Sequence, residues 1–295
     1  MRFSLRQLEV FTAVARGESV SRAAVELAMS QSAVSGSLAE LERQFDVRLF
    51  ERIGKRLQLS ERGRSLRPRA EALCAQALEL ERGFAGEIET GQLRVGATLS
   101  IGNYLCAPLM ARYMREHAGS RVTLHVANTA EIARCVKNYE IDVGLIEGEL
   151  ADAELDVSRW RRDELCVFAS PTHPLAGRKR LSDADLKSAS WILREPGSGT
   201  RQTFERAMHG ILPDLEIALE LEHTEAIKSA VKAGLGLGCV SRVALADAFK
   251  HRSLVECHVP ERDLRRYFSF VSHKQRFKSR ALVNFIELCR REHAE

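Results

Sequence analysis

The apolar residues of this 295-residue chain change period near residue 91, and that change limits the fold more than any other feature. Up to Phe84 they recur every three or four residues; from Leu93 onward short apolar runs alternate with helical stretches. Such a pattern predicts an all-helical front joined to an α/β rear. With 45% hydrophobic residues and only 6% aromatic ones, the cores are expected to be aliphatic. No run approaches a membrane span, and Met1-Arg2-Phe3-Ser4-Leu5 leads into an amphipathic pattern with no apolar signal core. The seven cysteines are odd in number, widely spaced and without a C-x-x-C pair, which argues against disulfides and fits a reducing cytoplasm.

The net charge is only +4, but it is unevenly placed. From Arg43 to Arg69 nine Lys/Arg face three carboxylates; from Glu71 to Glu89 five glutamates face one arginine. Such a basic block is either a solvated face or a polyanion contact. Its surroundings favour contact. Leu5, Leu8, Phe11 and Val14 mark one helix. Val20, Ala23, Ala24 and Leu27 mark a short second helix capped by Ser19 or Ser21, and Val34, Leu38, Leu41 and Phe45 a third capped by Ser30. The break Ala28-Met29-Ser30 is turn-sized, and the alanine pair lets two helices cross closely. The third helix offers Gln31, Ser32 and Ser35, short polar groups suited to base edges and phosphates in a major groove. Arg22, on the second helix, is a further candidate for the DNA. Arg48 to Leu59 predicts two short strands around Gly54-Lys55, a wing whose Arg52, Lys55 and Arg56 would meet phosphates or the minor groove.

Beyond the wing, Leu66, Ala70, Leu73, Ala77, Leu80 and Phe84 form a heptad seam. Pro68 stands near its start and can kink it. Either this helix packs on its own domain, or it pairs with a second copy and sets two recognition helices on successive major-groove faces.

In the rear, strands are predicted at 93–97, 122–126, 141–146, 165–169, 191–194, 236–240 and 267–271. Helices are predicted at about 104–117, 129–138 and 279–292. The alternation implies a largely parallel sheet in two lobes with a cleft between them. Polar loops at strand ends are the candidate ligand contacts: Thr98, Ser100 and Gly102; Asn128; Glu147; Gly199, Thr200 and Arg201; and Thr224. Hydroxyls, glycine backbone and helix-start N–H groups suit a small anion, with Arg201 to neutralise it. Taken singly, each loop is equally a helix cap. Glu147 is an awkward neighbour for an anion; it can orient Arg194 or Arg201, or hold a protonated ligand.

Ala23-Ala24, Gln31-Ser32-Ala33-Val34-Ser35, Leu41-Glu42 and Leu49-Phe50-x-Arg52 together resemble the winged helix-turn-helix of LysR-type transcriptional regulators. Gly36 departs from the pattern where a longer polar residue is common. The resemblance continues through "SIGNYLCAPLMARY", "IDVGLIEG" and "WILREPGSGTR", which look like the subgroup of sulfur-metabolism, sulfite-sensing and carbon-fixation regulators. It implies a winged helix-turn-helix at 1–59, a linker helix at 60–90 and a periplasmic-binding-protein-like effector domain at 91–295. Lobe I would take about 91–162 and 266–295, and lobe II about 163–265. It further implies double-stranded promoter DNA as partner, a homodimer or homotetramer, RNA polymerase as a possible contact, and a small effector matched by Thr98, Ser100, Asn128, Thr200, Arg201 and Thr224. Sulfite or sulfate is the leading effector, against a cleft that buffer anions enter adventitiously.

The other reading is a solute-binding protein or an enzyme on the same two-lobed scaffold. No nucleophile or acid–base pair is placed for catalysis, so no enzyme and no cofactor are expected. Gly234-Leu235-Gly236-Leu237-Gly238 follows a helix and precedes a strand, the reverse of a dinucleotide loop. The nine histidines lack metal-ligand spacing, and no metal is expected.

Overall fold

A computed structural model describes residues 2–53, 56–84 and 92–294. The front is built from α1 (Leu5–Gly17), α2 (Val20–Glu26), α3 (Gln31–Phe45), the hairpin β1 (Phe50–Ile53) and β2 (Arg56–Leu59), and α4 (Glu61–Phe84). Serines start the first three helices. Ser4 makes a reciprocal cap with Gln7, Ser19 accepts from the Arg22 N–H, and Ser30 accepts from the Ala33 N–H. Ala28 turns the chain between α2 and α3 at φ 51°. Ala23 and Ala24 are buried against Val10, Phe11, Val14, Val34 and Leu38 in one aliphatic core. Glu42 fixes the wing to α3 by accepting the Leu49 and Phe50 N–H groups at 2.6 and 3.2 Å.

The heptad seam divides along α4. Ala70 is buried in the front core and Leu66 packs against it, whereas Leu80 and Phe84 are 61% and 83% exposed. The same helix also reaches the rear. Arg67 donates to the Asn138 carbonyl and its guanidinium lies 5.3 Å from the Tyr139 ring centre, while Glu71 pairs with Arg16 of α1 at 3.4 Å. One face of α4 is therefore held between the two units.

The rear runs β3 (Gln92–Ala97), α5 (Leu99–Ile101), a π turn (Gly102–Cys106), α6 (Ala107–Glu116), β4 (Arg121–Val126), α7 (Thr129–Lys137) and β5 (Val143–Glu147). Then come β6 (Leu155–Ala169), α8 (Asp183–Ser188), β7 (Ser190–Arg194), α9 (Gly199–Ala207), a 3-10 turn (Leu212–Asp214), β8 (Glu216–Leu221), α10 (Thr224–Lys232) and β9 (Leu237–Ser241). Last are α11 (Arg242–Lys250), β10 (Val255–Cys257), β11 (Arg265–His273) and α12 (Arg280–Ala294). The strands lie in the order β4-β3-β5-β11-β6-β9-β7-β8, with β10 beside β6.

The sheet is mixed rather than largely parallel. Pairing is parallel within each lobe, at β3/β4, β3/β5, β7/β8 and β7/β9, and antiparallel wherever β6 or β11 takes part. Strand β6 is much longer than the predicted 165–169. Nine of its first ten residues pair with β11, all but Trp160, and Leu165–Phe168 then pair with β9. These two crossing strands join two cores, one around Val95, Tyr113, Phe268 and Phe285, the other around Trp191, Phe204, Leu237 and Cys239. The helical turn after β3 begins at Leu99, next to Thr98, earlier than the predicted Tyr104.

Among the described residues no helix is long and apolar enough to cross a membrane. Gly63 is the tightest joint between α4 and the wing: a Cβ there would stand 2.1 Å from the Leu49 carbonyl oxygen. Gly63→Ala should lower stability by about 1–3 kcal/mol, read as a lower unfolding midpoint in urea. An unchanged midpoint would mean that α4 does not seat on the wing in this way.

Candidate nucleic-acid interface and effector site

The front presents its polar groups outward. Gln31, Ser32 and Ser35 lie exposed on the first turns of α3, and Arg22 is exposed on α2. Ser32 shares a 3.0 Å hydrogen bond with the capping Ser30, which orders the entry to the helix. A side chain at Gly36 would meet nothing within 4 Å, so the helix leaves open space at that point. Arg52 is exposed on β1. Lys55 and the Arg56 side chain lie outside the described residues. The arrangement is a polar helix face flanked by a cationic hairpin, suited to a phosphate-lined groove.

Between the lobes the structure gathers a buried polar cluster around Glu147, the last residue of β5. One carboxylate oxygen accepts from the Thr98 hydroxyl at 2.9 Å and the Ser100 N–H at 2.8 Å. The other accepts from the Thr200 hydroxyl at 2.8 Å and pairs with the Arg266 guanidinium at 2.8 Å. Arg266 also donates to Thr200 Oγ1 at 3.0 Å and to Asp163 at 2.7 Å, and Asp163 accepts from Ser241 at 2.7 Å. Glu147, Asp163 and Arg266 side chains are at most 2% exposed. Burial alone would raise the Glu147 pKa, but Arg266 and the Thr200 and Thr98 hydroxyls hold it below its ordinary value. Burial works against the Arg266 charge too, and the two carboxylates reverse that effect.

Two buried donors in this cluster make no hydrogen bond: Arg266 Nη2, which is ion-paired with Glu147, and Ser100 Oγ, which has no partner. Such an orphan costs about 1–3 kcal/mol, which a ligand oxygen would recover. The lobes also touch directly. Thr129 donates to the Glu147 carbonyl at 3.0 Å and accepts the Gly199 N–H at 3.2 Å. A Cβ at Gly199 would fall 1.9 Å from the Glu147 carbonyl oxygen, so glycine is required for α9 to seat against β5.

The structure thus brings Thr98, Ser100, Glu147, Gly199 and Thr200 together. Asn128 stands at the rim, capping α7 and donating to Glu195 at 3.2 Å. Arg201 turns away to Glu205 at 2.6 Å, Glu220 at 2.7 Å and the Arg194 carbonyl at 3.0 Å. The cation of the cluster is Arg266 instead. Glu147 hydrogen-bonds neither Arg201 nor Arg194; the latter pairs with Glu195 at 2.7 Å. Gly102 lies in the π turn, where a Cβ would come within 2.8 Å of Val126, a packing role. Thr224 is buried at the start of α10. Sequence reasoning missed Arg266 and Asp163; Thr129, beside Asn128 in the second polar loop, was within its reach. The available signal was two charges, Asp163 and Arg266, at the ends of apolar strand segments.

Comparison with known proteins gives two family matches. Residues 5–64 match the bacterial regulatory helix-turn-helix protein model of the lysR family, and residues 86–294 match the LysR substrate binding domain. The chain is 43% identical over 289 residues to the uncharacterized HTH-type transcriptional regulator YeiE of Escherichia coli, covering 98% of each. It is 36% identical over 261 residues to the RuBisCO operon transcriptional regulator of Allochromatium vinosum, covering 88% of this chain and 86% of that one. Among solved structures, a full-length OxyR variant from Pseudomonas aeruginosa superposes with a TM-score of 0.76 at 20% identity, covering 98% and 95% of the two chains.

Removing the cation of the inter-lobe cluster strands two buried carboxylates. Arg266→Met should cost about 3–5 kcal/mol at neutral pH, measured by urea unfolding. In the native protein the depressed Glu147 contributes stability that is fully present above its ordinary value of 4.5 and is lost as pH falls through its folded value. The deficit of Arg266→Met should therefore shrink on acidification, as protonation of Glu147 relieves the stranded charge. A deficit that does not depend on pH would place the loss in packing instead.

Proposed function

This chain belongs to the LysR family of DNA-binding transcriptional regulators, and on that footing we propose that its effector is a small oxyanion able to carry a proton, with sulfite the leading member. The observation that supports this reading is the donor set around Glu147. Two threonine hydroxyls, a backbone N–H and a guanidinium converge there, with the Ser100 hydroxyl still free to donate. All but the Ser100 hydroxyl are engaged with Glu147, so the free hydroxyl and the carboxylate they hold are what an oxyanion would meet. Glu147 adds the selectivity, because its carboxylate only accepts. A fully deprotonated anion such as sulfate is repelled at close range, whereas a protonated one donates to Glu147 and accepts from Ser100, with Thr200 holding the Glu147 carboxylate in place. Sulfite keeps a proton in part near neutral pH; sulfate does not.

Ligand in the cleft acts on both lobes, since Thr98 and Ser100 follow β3 while Thr200 lies on α9. A change in lobe closure reaches α4 through the Arg67–Asn138 contact. The exposed Leu80 and Phe84 of that helix suit pairing with a second copy, in a dimer or tetramer that sets the spacing of the recognition helices. Gln31, Ser32 and Ser35 would read base edges, and Arg22, Arg52, Lys55 and Arg56 would hold phosphates. Differential affinity of the effector for two assemblies then becomes a change in promoter binding.

Two experiments test the reading. In thermal-shift and calorimetric titrations, sulfite should stabilise the protein, by about 2.7 kcal/mol at one hundred times Kd. Sulfate should leave it unchanged, and Thr200→Val should remove the sulfite response. No response to sulfite, or an equal response to sulfate, refutes the effector assignment while leaving the DNA assignment intact. In gel-shift titrations, Arg52→Ala should weaken binding to every DNA sequence and reduce the slope of log K against log salt by about 1. Unchanged affinity would take the wing out of the interface.

A further inference from the structure

Away from the cleft, His125 on the edge strand β4 and Glu131 and Cys135 on α7 place an imidazole nitrogen, a carboxylate oxygen and a sulfur within 4.8 Å of one another. Glu131 and Cys135 are four residues apart, so they share one face of the helix. Their ligand atoms already stand 3.6 Å apart. A tetrahedral zinc site with bonds of about 2.0–2.3 Å sets its ligands roughly 3.3–3.8 Å apart. Closing the remaining gap takes a side-chain rotation of the exposed His125. A second carboxylate, Glu140, also faces the Cys135 thiol.

The group at the centre of these donors is the Arg134 guanidinium. It lies 2.7 Å from both Glu131 and Glu140 and 3.3 Å from Cys135 Sγ. A cation is therefore already balanced against this donor set, on a side chain that is 48% exposed, so solvent can receive it once its ion pairs are given up. We propose that His125, Glu131 and Cys135 form a binding site for a borderline divalent metal ion such as zinc, with Arg134 as the resident cation that the metal displaces. The mixture of nitrogen, oxygen and sulfur suits zinc or cobalt better than magnesium or calcium. Burial pushes the Cys135 thiol up to about 12, so the free thiol is inert. As the sulfur–metal bond forms, the thiol proton leaves to solvent, one proton per ion bound. The clamp would join the end of β4 to the first turns of α7, whose Thr129 bridges the two lobes.

Cobalt(II) titration of the full chain tests this through the thiolate-to-cobalt charge-transfer band in the near ultraviolet, with zinc competition giving the zinc affinity. The wild-type protein should develop the band at one equivalent. Cys135→Ser and His125→Ala should each lose it; the second alters an exposed position and leaves folding intact. Arg134→Ala should bind about tenfold tighter, since one positive charge is removed at contact range. A band that survives either ligand substitution overturns the assignment, as does its absence from both the wild-type protein and Arg134→Ala.

Discussion

The ion pairs of Arg266 with Glu147 and Asp163 hold the two lobes in register. Glu147 ends β5 in one lobe, Arg266 is the second residue of β11, and Asp163 lies opposite it on β6. An arginine and two carboxylates without solvent are tolerable only if nearly every donor and acceptor is used. Thr98, Ser100, Thr200 and Ser241 supply the missing bonds, two from each lobe. Their positions fix how closely the lobes approach, and the glycine at 199 lets α9 close against the Glu147 backbone. The closeness of the two lobes and the polarity of the junction between them follow from this one arrangement.

The same logic runs through α4. A helix that served only as a dimer rod would keep its seam uniform. Here Leu66 and Ala70 belong to the front core, Arg67 rests on the Tyr139 ring, and Glu71 meets Arg16. Burial raises the Glu71 pKa, a sign of how little water reaches this junction. Residues 66–71 of α4 thus touch both units.

How much of this was legible in the chain depends on the range of the interactions. The front half was largely readable because serine caps, alanine crossings and turn-sized breaks act over three or four residues. The wing could be placed for the same reason, by the Gly54-Lys55 break. The lobes could be recognised, and Thr98, Ser100, Glu147 and Thr200 were found as polar loop ends. Their common partner was not found, because Arg266 meets Thr200 across 66 residues of sequence and nothing local marks it. Arg201 was the nearer arginine in sequence, and its own helix and β8 absorb it through Glu205 and Glu220. Strand β8 itself, Glu216-Ile217-Ala218-Leu219-Glu220-Leu221, is made of good helix formers, and pairing with β7 overrides them. The parallel expectation for the sheet failed at β6 and β11, whose antiparallel course is set by the crossing of lobes rather than by their own residues.

Between Phe268 and Ser269 the ladder of β11 with β6 slips by one residue, leaving Trp160 as the extra member on β6. Its indole N–H donates to the Cys289 carbonyl of α12 at 2.8 Å. Phe268 on the other side is the register partner of Glu147. Two continuous strands resist swinging as a loop would, yet yield to torsion at a bulge. A rotation of one lobe about this bulge would carry the Trp160 indole with it and, through the bond to Cys289, pull on the last helix.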